Sequence, residues 1–402
     1  MELYLQFGHG MKALSRELLE RWGGGTVILS PRDIDRSRLR SVATEIHSSG
    51  GQVLFDPQFY LPRSDHPRLT KYHYWPSDFD TPTFPHDPAL KTMVKGILDL
   101  GNAIGCQAHI VPGPYAARVD EDWFAIQEAL VEESRHQATA ATLIATICLS
   151  AEALRFEEQV HQVLERAEAW PVNGFYIVAE HPKGSYLVDD PMWLTSVLDL
   201  CAGLRLLGKP VVVGYCNQQQ LALAAADVDA IASGTWMNVR SFPRGKFMTQ
   251  YDEQRRRVPW YYCPQALSEF RVPFLDMAHR ARVLQQMRAH ETMGSTYADV
   301  LFSGAQPSTT TFGEREAFRH FLCCLRSQAT TSVRSTFRET VTAQSVMLRT
   351  ARQLLDRLHG SGVLAQYRDF GDIIDAQGAA FAALQNSRGF VLERRWGESG
   401  GS

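Results

Sequence analysis

No CxxC pair occurs in this sequence: its seven cysteines, at 106, 148, 201, 216, 263, 323 and 324, are scattered. Without paired spacing there is no local zinc-binding motif, and an odd number of thiols favours free cysteines in a reducing compartment. Nothing approaches the roughly 20 consecutive apolar residues that cross a bilayer. The first residues, MELYLQFGHGMKALSREL, lack the apolar core and small-residue cleavage site of a signal peptide, so a cytoplasmic protein without membrane contact is expected. Walker A, strand-borne GxGxxG and GxSxG patterns are all missing, which removes the common phosphate cradles and the nucleophile elbow. An excess of one charge is missing too. Lys plus Arg number 41 against 44 Asp plus Glu, a formal net charge of -3, so any polyanion must bind through a local patch.

What remains is a chain of 402 residues, 45% hydrophobic, able to bury a large core. Short apolar runs, each closed by a polar or Gly/Pro cluster, recur to about residue 236. They are LYLQFG, TVILS, QVLFD, QAHIVPG, TLIATICLS, GFYIVAE, PVVVGYC and AIASGTW, eight in all. Stretches of helical periodicity separate them, among them MKALSRELLERW and WLTSVLDLCAGLRLLG. Continuous apolar strands alternating with amphipathic helices require a parallel sheet covered by helices, and eight such units predict an α/β fold, a (β/α)8 TIM barrel. An open doubly wound sheet is the alternative. The barrel should span 1–262, interrupted by insertions at 59–88 and 237–262. A helical C-terminal module should follow over 263–395, including one long helix through ATTSVRSTFRETVTAQSVMLRTARQLLDRL, with a flexible tail at 396–402.

In such a barrel the reacting groups stand at the C-terminal ends of the strands. Asp56 ends the apolar run LFD before Pro57 and a long aromatic insertion. A bland turn needs no apolar strand ending in a carboxylate, so Asp56 is the leading catalytic candidate. Glu180 ends GFYIVAE in the same way, and two carboxylates across a barrel mouth can divide acid and base roles; a salt bridge to Arg32 is its structural alternative. The other strand-end polar groups, His9, Arg32, Gln58, His181, Asn217 and Asn238, together with Tyr60 and Trp236, are candidate substrate contacts. Each could equally be a loop cap or a structural hydrogen bond. His9, Asp56, His109, Glu180 and His181 could be assembled as metal ligands, but no local spacing supports it, and no metal or cofactor is expected. The second insertion carries Arg240, Arg244, Lys246, Arg255, Arg256 and Arg257 and then Trp260 and Tyr261. Cations for phosphates with aromatics for bases are what a nucleic-acid groove uses, and Lys71 in HPRLTKYHYW repeats the mixture. A solvated charge run beside buried aromatics is the competing explanation.

The stretch GKPVVVGYCNQQQLALAAADVDAIASGTWMNVR resembles the end of the barrel in tRNA-guanine transglycosylases and their DNA-acting 7-deazaguanine transglycosylase relatives. LFDPQFY is similar to the family's early strand bearing a catalytic Asp, which the resemblance places at Asp56, and GFYIVAE to its strand ending in Glu, here Glu180. Two departures stand out: the family's zinc-binding Cys and His cluster has no counterpart, and the position of its nucleophilic Asp is Ala232. An enzyme that keeps a carboxylate without the covalent nucleophile implies hydrolysis of an N-glycosidic bond. The expected activity is therefore that of a DNA glycosylase acting on a flipped, modified base, in a setting such as phage defence that the resemblance implies. The partner would be DNA or, alternatively, RNA. Base exchange on tRNA or DNA, a small-metabolite hydrolase or lyase, and a non-catalytic nucleic-acid adaptor are the rival expectations.

Overall fold

The computed structural model describes residues 1–248 and 258–396. All eight apolar runs form strands: β1 (Glu2–Gln6), β2 (Gly25–Leu29), β3 (Gly51–Phe55), β4 (His109–Val111), β6 (Leu143–Leu149), β7 (Gly174–Ala179), β8 (Val211–Val213) and β9 (Ala230–Ser233), with a two-residue β5 (Tyr115–Ala116) added beyond β4. Every pairing among them is parallel, in the order β3-β2-β1-β9-β8-β7-β6-β4, with β5 also on β6. Because the first strand pairs with the last, the sheet curls round into the barrel arrangement, and helices α1 (Met11–Trp22), α2 (Arg36–Ser48), α3 (Pro88–Ala103), α4 (Glu121–Gln137), α5 (Glu157–Glu168) and α6 (Pro191–Leu206) cover its outside. One seam interrupts the cylinder. β3 and β4 approach each other without ladder pairing, and above them the Tyr115 N–H reaches the Tyr60 carbonyl at 2.8 Å.

Sequence alternation decides what faces the lumen. Gln6 pairs level with Ile28, and Leu29 with Phe55, so Gln6, Ser30 and Asp56 point into the barrel at its C-terminal end. Tyr176 lies on the same inner face of β7, level with Thr146 and Val212. Gly214 stands where a Cβ would come within 2.3 Å of the Tyr176 hydroxyl, so a side chain there and the tyrosine are mutually exclusive.

QQQLALAAA, whose sequence also reads as an amphipathic helix, is a 3-10 segment (Gln218–Ala226), held at its start by the Asn217 side chain. The C-terminal third opens with an antiparallel hairpin, β10 (Trp260–Cys263) and β11 (Ser268–Arg271), that straddles residue 262, and continues with α7 (Val272–Arg280), α8 (Glu314–Ser332), α9 (Phe337–Gly360) and α10 (Ile374–Arg395). The single long helix expected from 329 onward is two. The chain breaks after Ser332, and Thr336 restarts it by accepting the Glu339 N–H on its hydroxyl at 3.1 Å. These helices pack on the barrel. α8 covers β1, and α10 lies along α6, where Arg388 grips Asp199 through two hydrogen bonds of 2.5 and 2.8 Å. Trp396 packs on Phe337; the rest of the expected tail, 397–402, lies outside the described residues. Among the described residues no helix is long and apolar enough to cross a membrane.

Candidate functional site

Asp56 follows β3 directly into the lumen and is almost completely buried. One carboxylate oxygen accepts the Gln58 backbone N–H at 2.9 Å. The other accepts the Tyr60 hydroxyl at 2.7 Å, with the hydroxyls of Tyr215 and Tyr176 farther off at 3.3 and 3.4 Å. Tyr60 therefore makes the strong bond. Burial pushes this carboxyl up to about 6, against the pull of those donors and of the Lys246 ammonium. Gln58 holds a left-handed backbone, φ 54°, which lets its amide bridge the site: Nε2 donates to the Tyr215 hydroxyl at 3.0 Å, and Oε1 accepts the Arg32 N–H at 3.1 Å. Above the carboxyl the rings of Tyr60, Tyr215, Phe242 and Phe247 pack edge and face within 5.1–6.5 Å.

Glu180, at the end of β7, is half-buried. Its Oε2 accepts the Tyr115 hydroxyl at 2.6 Å and the Ala151 N–H at 3.1 Å. Its backbone is fixed by the Trp193 indole on its carbonyl, 3.0 Å, and by a bridge to Phe242. Burial first, then the bond to Glu180, pushes the Tyr115 phenol up, while the Arg244 guanidinium, 4.8 Å above its ring, pulls the other way.

Next to these groups, over the β3–β4 seam, opens a cavity of about 1010 Å³. Tyr60, Phe79, Tyr115 and Trp123 give it aromatic walls, Arg63, Arg118 and Arg244 supply cations, and Asp65, Asp120 and Asp122 supply carboxylates. Asp56 and Glu180 are not themselves in the lining. Each reaches the cavity through a tyrosine, Asp56 behind Tyr60 and Glu180 behind Tyr115. The expected cavity shared directly by the two carboxylates is thus corrected: aromatic rings at the mouth of the narrow lumen stand between. Tyr115 escaped notice in the sequence because PGPY reads as a turn.

Several residues expected to contact substrate are built into the fold. Asn217 is fully buried, caps the 218–226 segment and donates to the Tyr186 carbonyl at 2.7 Å. His181 packs on Trp193, its Nδ1 on the Ser185 carbonyl at 2.9 Å, and burial lowers it to about 4, so it is neutral. Arg32 is buried, its Nε on the Lys246 carbonyl at 2.8 Å and Nη1 3.3 Å from Asp33. His9 is exposed and Asn238 half-buried, with its carbonyl taking the Lys246 ammonium at 3.2 Å. Trp236 rests half-buried on Phe318. Among the described residues no three His, Cys, Asp or Glu side chains converge as metal ligands.

The basic loop is corrected more extensively. Lys246 is wholly buried, 3.2 Å from Asp33. Arg240 is buried against Glu269 at 3.1 Å, with its guanidinium on Phe321. Glu269 also takes Arg368 at 2.7 Å and the Tyr186 hydroxyl at 2.7 Å, and these partners outweigh burial to hold its carboxyl below the usual range. Trp260 is stacked by Arg368, and Tyr261 is buried on His320 with its hydroxyl on the Met287 carbonyl. Arg240 and Lys246 cannot turn to a phosphate without breaking buried ion pairs with Glu269 and Asp33, and Trp260 and Tyr261 are packed against the protein's own side chains. Arg244 is exposed at the cavity and Lys71 exposed on the first insertion; Arg255, Arg256 and Arg257 lie outside the described residues.

No protein-family model matches the chain, and no curated protein matches it. Among solved structures it is similar to native xylanase10C from Cellvibrio japonicus, at 13% identity and TM-score 0.38, over 59% of this chain and 62% of that one. It thus spans about three fifths of that enzyme. Xylanase 10B from Thermotoga maritima is similar at 12% identity and TM-score 0.37, over 58% of this chain and 82% of that one. A GH10 protein from Paenibacillus barcinonensis is similar at 11% and 0.37, over 60% and 86%.

Proposed function

We propose that this barrel hydrolyses the N-glycosidic bond of a nucleotide extruded from DNA, as its sequence resemblance to the transglycosylases first suggested. The observation that carries the reading is the cavity wall that holds Tyr60 and Tyr115, each bonded to a carboxylate, with Arg244 over the Tyr115 ring. Breaking such a bond leaves positive charge on the sugar and negative charge on the departing base, so the site must stabilise the first and protonate the second. Glu180 supplies a carboxylate one hydroxyl away from the cavity. Asp56, with its carboxyl raised to about 6, can hold or release a proton near neutrality through Tyr60. Aromatic walls suit a base taken out of the stack, and the arginines at the cavity suit its flanking phosphates.

The test is incubation of the protein with unmodified and base-modified phage DNAs, scoring free base and abasic sites, alongside Asp56→Asn and Glu180→Gln. Release of one base by the wild type and its loss in both variants supports the reading; DNA of every kind left intact refutes it. The burial of Arg240, Lys246, Trp260 and Tyr261 favours a second reading, a free nucleoside or other small glycoside as substrate, because it narrows the surface open to a polymer. Cleavage of free nucleosides with DNA untouched would select it.

A further inference from the structure

Of the hydroxyls lining the cavity, Ser64 is hydrogen-bonded to the Phe247 carbonyl, Thr81 accepts from Arg63 at 2.9 Å, and Tyr60 is turned inward to Asp56. Tyr115, like Tyr60, bonds a carboxylate, but it is partly exposed where Tyr60 is fully buried. It is half-buried in the wall, its hydroxyl is 2.6 Å from a carboxylate oxygen, and a guanidinium lies 4.8 Å from its ring. That oxygen of Glu180 is held in place by the Ala151 N–H, and the backbone on either side of Tyr115 is pinned, by the Tyr60 carbonyl and by pairing with Cys148 and Leu149. A phenol so placed against an anchored base has the arrangement of an activated nucleophile: nucleophile, base within hydrogen-bond reach, base oriented by a third group. Asp56, sealed beneath the rings of Tyr60, Phe242 and Phe247, cannot approach a sugar in the cavity.

We infer that Tyr115 is a covalent nucleophile, activated by Glu180 and assisted by Arg244, that attacks the anomeric carbon of a pentose in this cavity. The inference rests on the glycosidic-bond reading above. In the first step the Tyr115 oxygen bonds to C1′ while Glu180 takes the phenolic proton. The C1′–leaving-group bond breaks, and its electron pair departs with the leaving group. In the second step a water oxygen bonds to C1′ on the face the leaving group vacated and releases its proton to solvent, while Glu180 returns the phenolic proton to the Tyr115 oxygen as the aryl glycoside bond breaks, which restores the carboxylate. The resting phenol is neutral, since burial and Glu180 both disfavour its ionisation, so proton removal must accompany attack.

The probe is 4-nitrophenyl 2-deoxy-2-fluoro-arabinofuranoside 5-phosphate. Its leaving group needs no proton, and its fluorine slows both steps so that an intermediate accumulates. The full-length protein should release nitrophenolate in a stoichiometric burst, and the peptide containing Tyr115 should gain one fluoropentosyl phosphate by mass spectrometry. Tyr115→Phe, which keeps the ring and the cavity wall, should show neither; Glu180→Gln should slow the burst by about 10²-fold or more. Unchanged circular dichroism of both variants checks that they fold. Steady release without a burst or a label, equal in wild type and Tyr115→Phe, overturns the covalent role while leaving hydrolysis standing, as does a label on another residue. No release by any of the proteins overturns both.

Discussion

Replacing Asp56 by Asn should alter the pH dependence of stability in a way the lumen dictates. The carboxyl is raised from 3.8 to about 6 by burial, so the fold favours its neutral form. A carboxyl raised on folding contributes most below its unfolded value, and that contribution is lost as pH climbs through the folded value. With values of 3.8 and about 6, keeping Asp56 in the lumen costs about 2 kcal/mol at pH 5 and about 3 kcal/mol at pH 8. Asn cannot ionise and escapes this cost. It does place an amide where the Gln58 N–H or the Tyr60 hydroxyl now donates, which costs about 1–3 kcal/mol at any pH. The absolute change at one pH therefore mixes two effects of opposite sign, but the difference between pH values isolates the titration. Urea unfolding of wild type and Asp56→Asn at pH 5 and pH 8 should show the variant gaining about 1 kcal/mol relative to wild type on going to pH 8. An identical stability difference at both pH values would refute the raised carboxyl and with it the proton-holding role assigned to Asp56.

Tyr60→Phe removes the 2.7 Å donor to Asp56, so the carboxyl should rise further and the loss of stability between pH 5 and pH 8 should become larger and extend to higher pH than in the wild type, measured by the same denaturation series. Glu269→Gln leaves Arg240 and Arg368 buried around a neutral group and should cost about 3–5 kcal/mol, read as an unfolding midpoint. Gly214→Ala, whose Cβ meets the Tyr176 hydroxyl, should destabilise by about 1–3 kcal/mol and perturb tyrosine fluorescence from the lumen. For DNA binding, Arg63, Arg118 and Arg244 changed to Ala should each flatten the salt dependence by a log-log slope of about one if they touch phosphates; slopes unchanged in all three, with the variants folded, would favour the small-glycoside substrate.

The periodicity of the chain already contained the barrel. Eight apolar runs with Gly or Pro at their ends and helical stretches between them leave little else to build, and each run is a strand in the structure. Asp56 was equally visible, since nothing but a site or a costly defect puts a carboxylate at the end of LFD. The side chains of the second insertion were not. Lys246 and Asp33 are 213 positions apart, and Arg240, Glu269 and Arg368 come from three separate segments; a charge reads as solvated until the partner that buries it is known. Trp260 and Tyr261 looked like stacking surfaces because an aromatic run has the same letters whether it faces a base or a hairpin's core.

Local pattern, then, determined the strands, the helices and the strand-end positions of Asp56 and Glu180, because alternation and helical period are set by neighbours a few residues apart. Tertiary structure alone decided which tyrosine each carboxylate holds, that Arg244 is open while Arg240 and Lys246 are buried, and that the cavity lies over the β3–β4 seam. Those outcomes depend on contacts between distant segments and on the burial they create. Burial raises the Asp56 carboxyl, and contact places Tyr115 on Glu180; neither effect exists until the barrel has curled to bring β1 against β9.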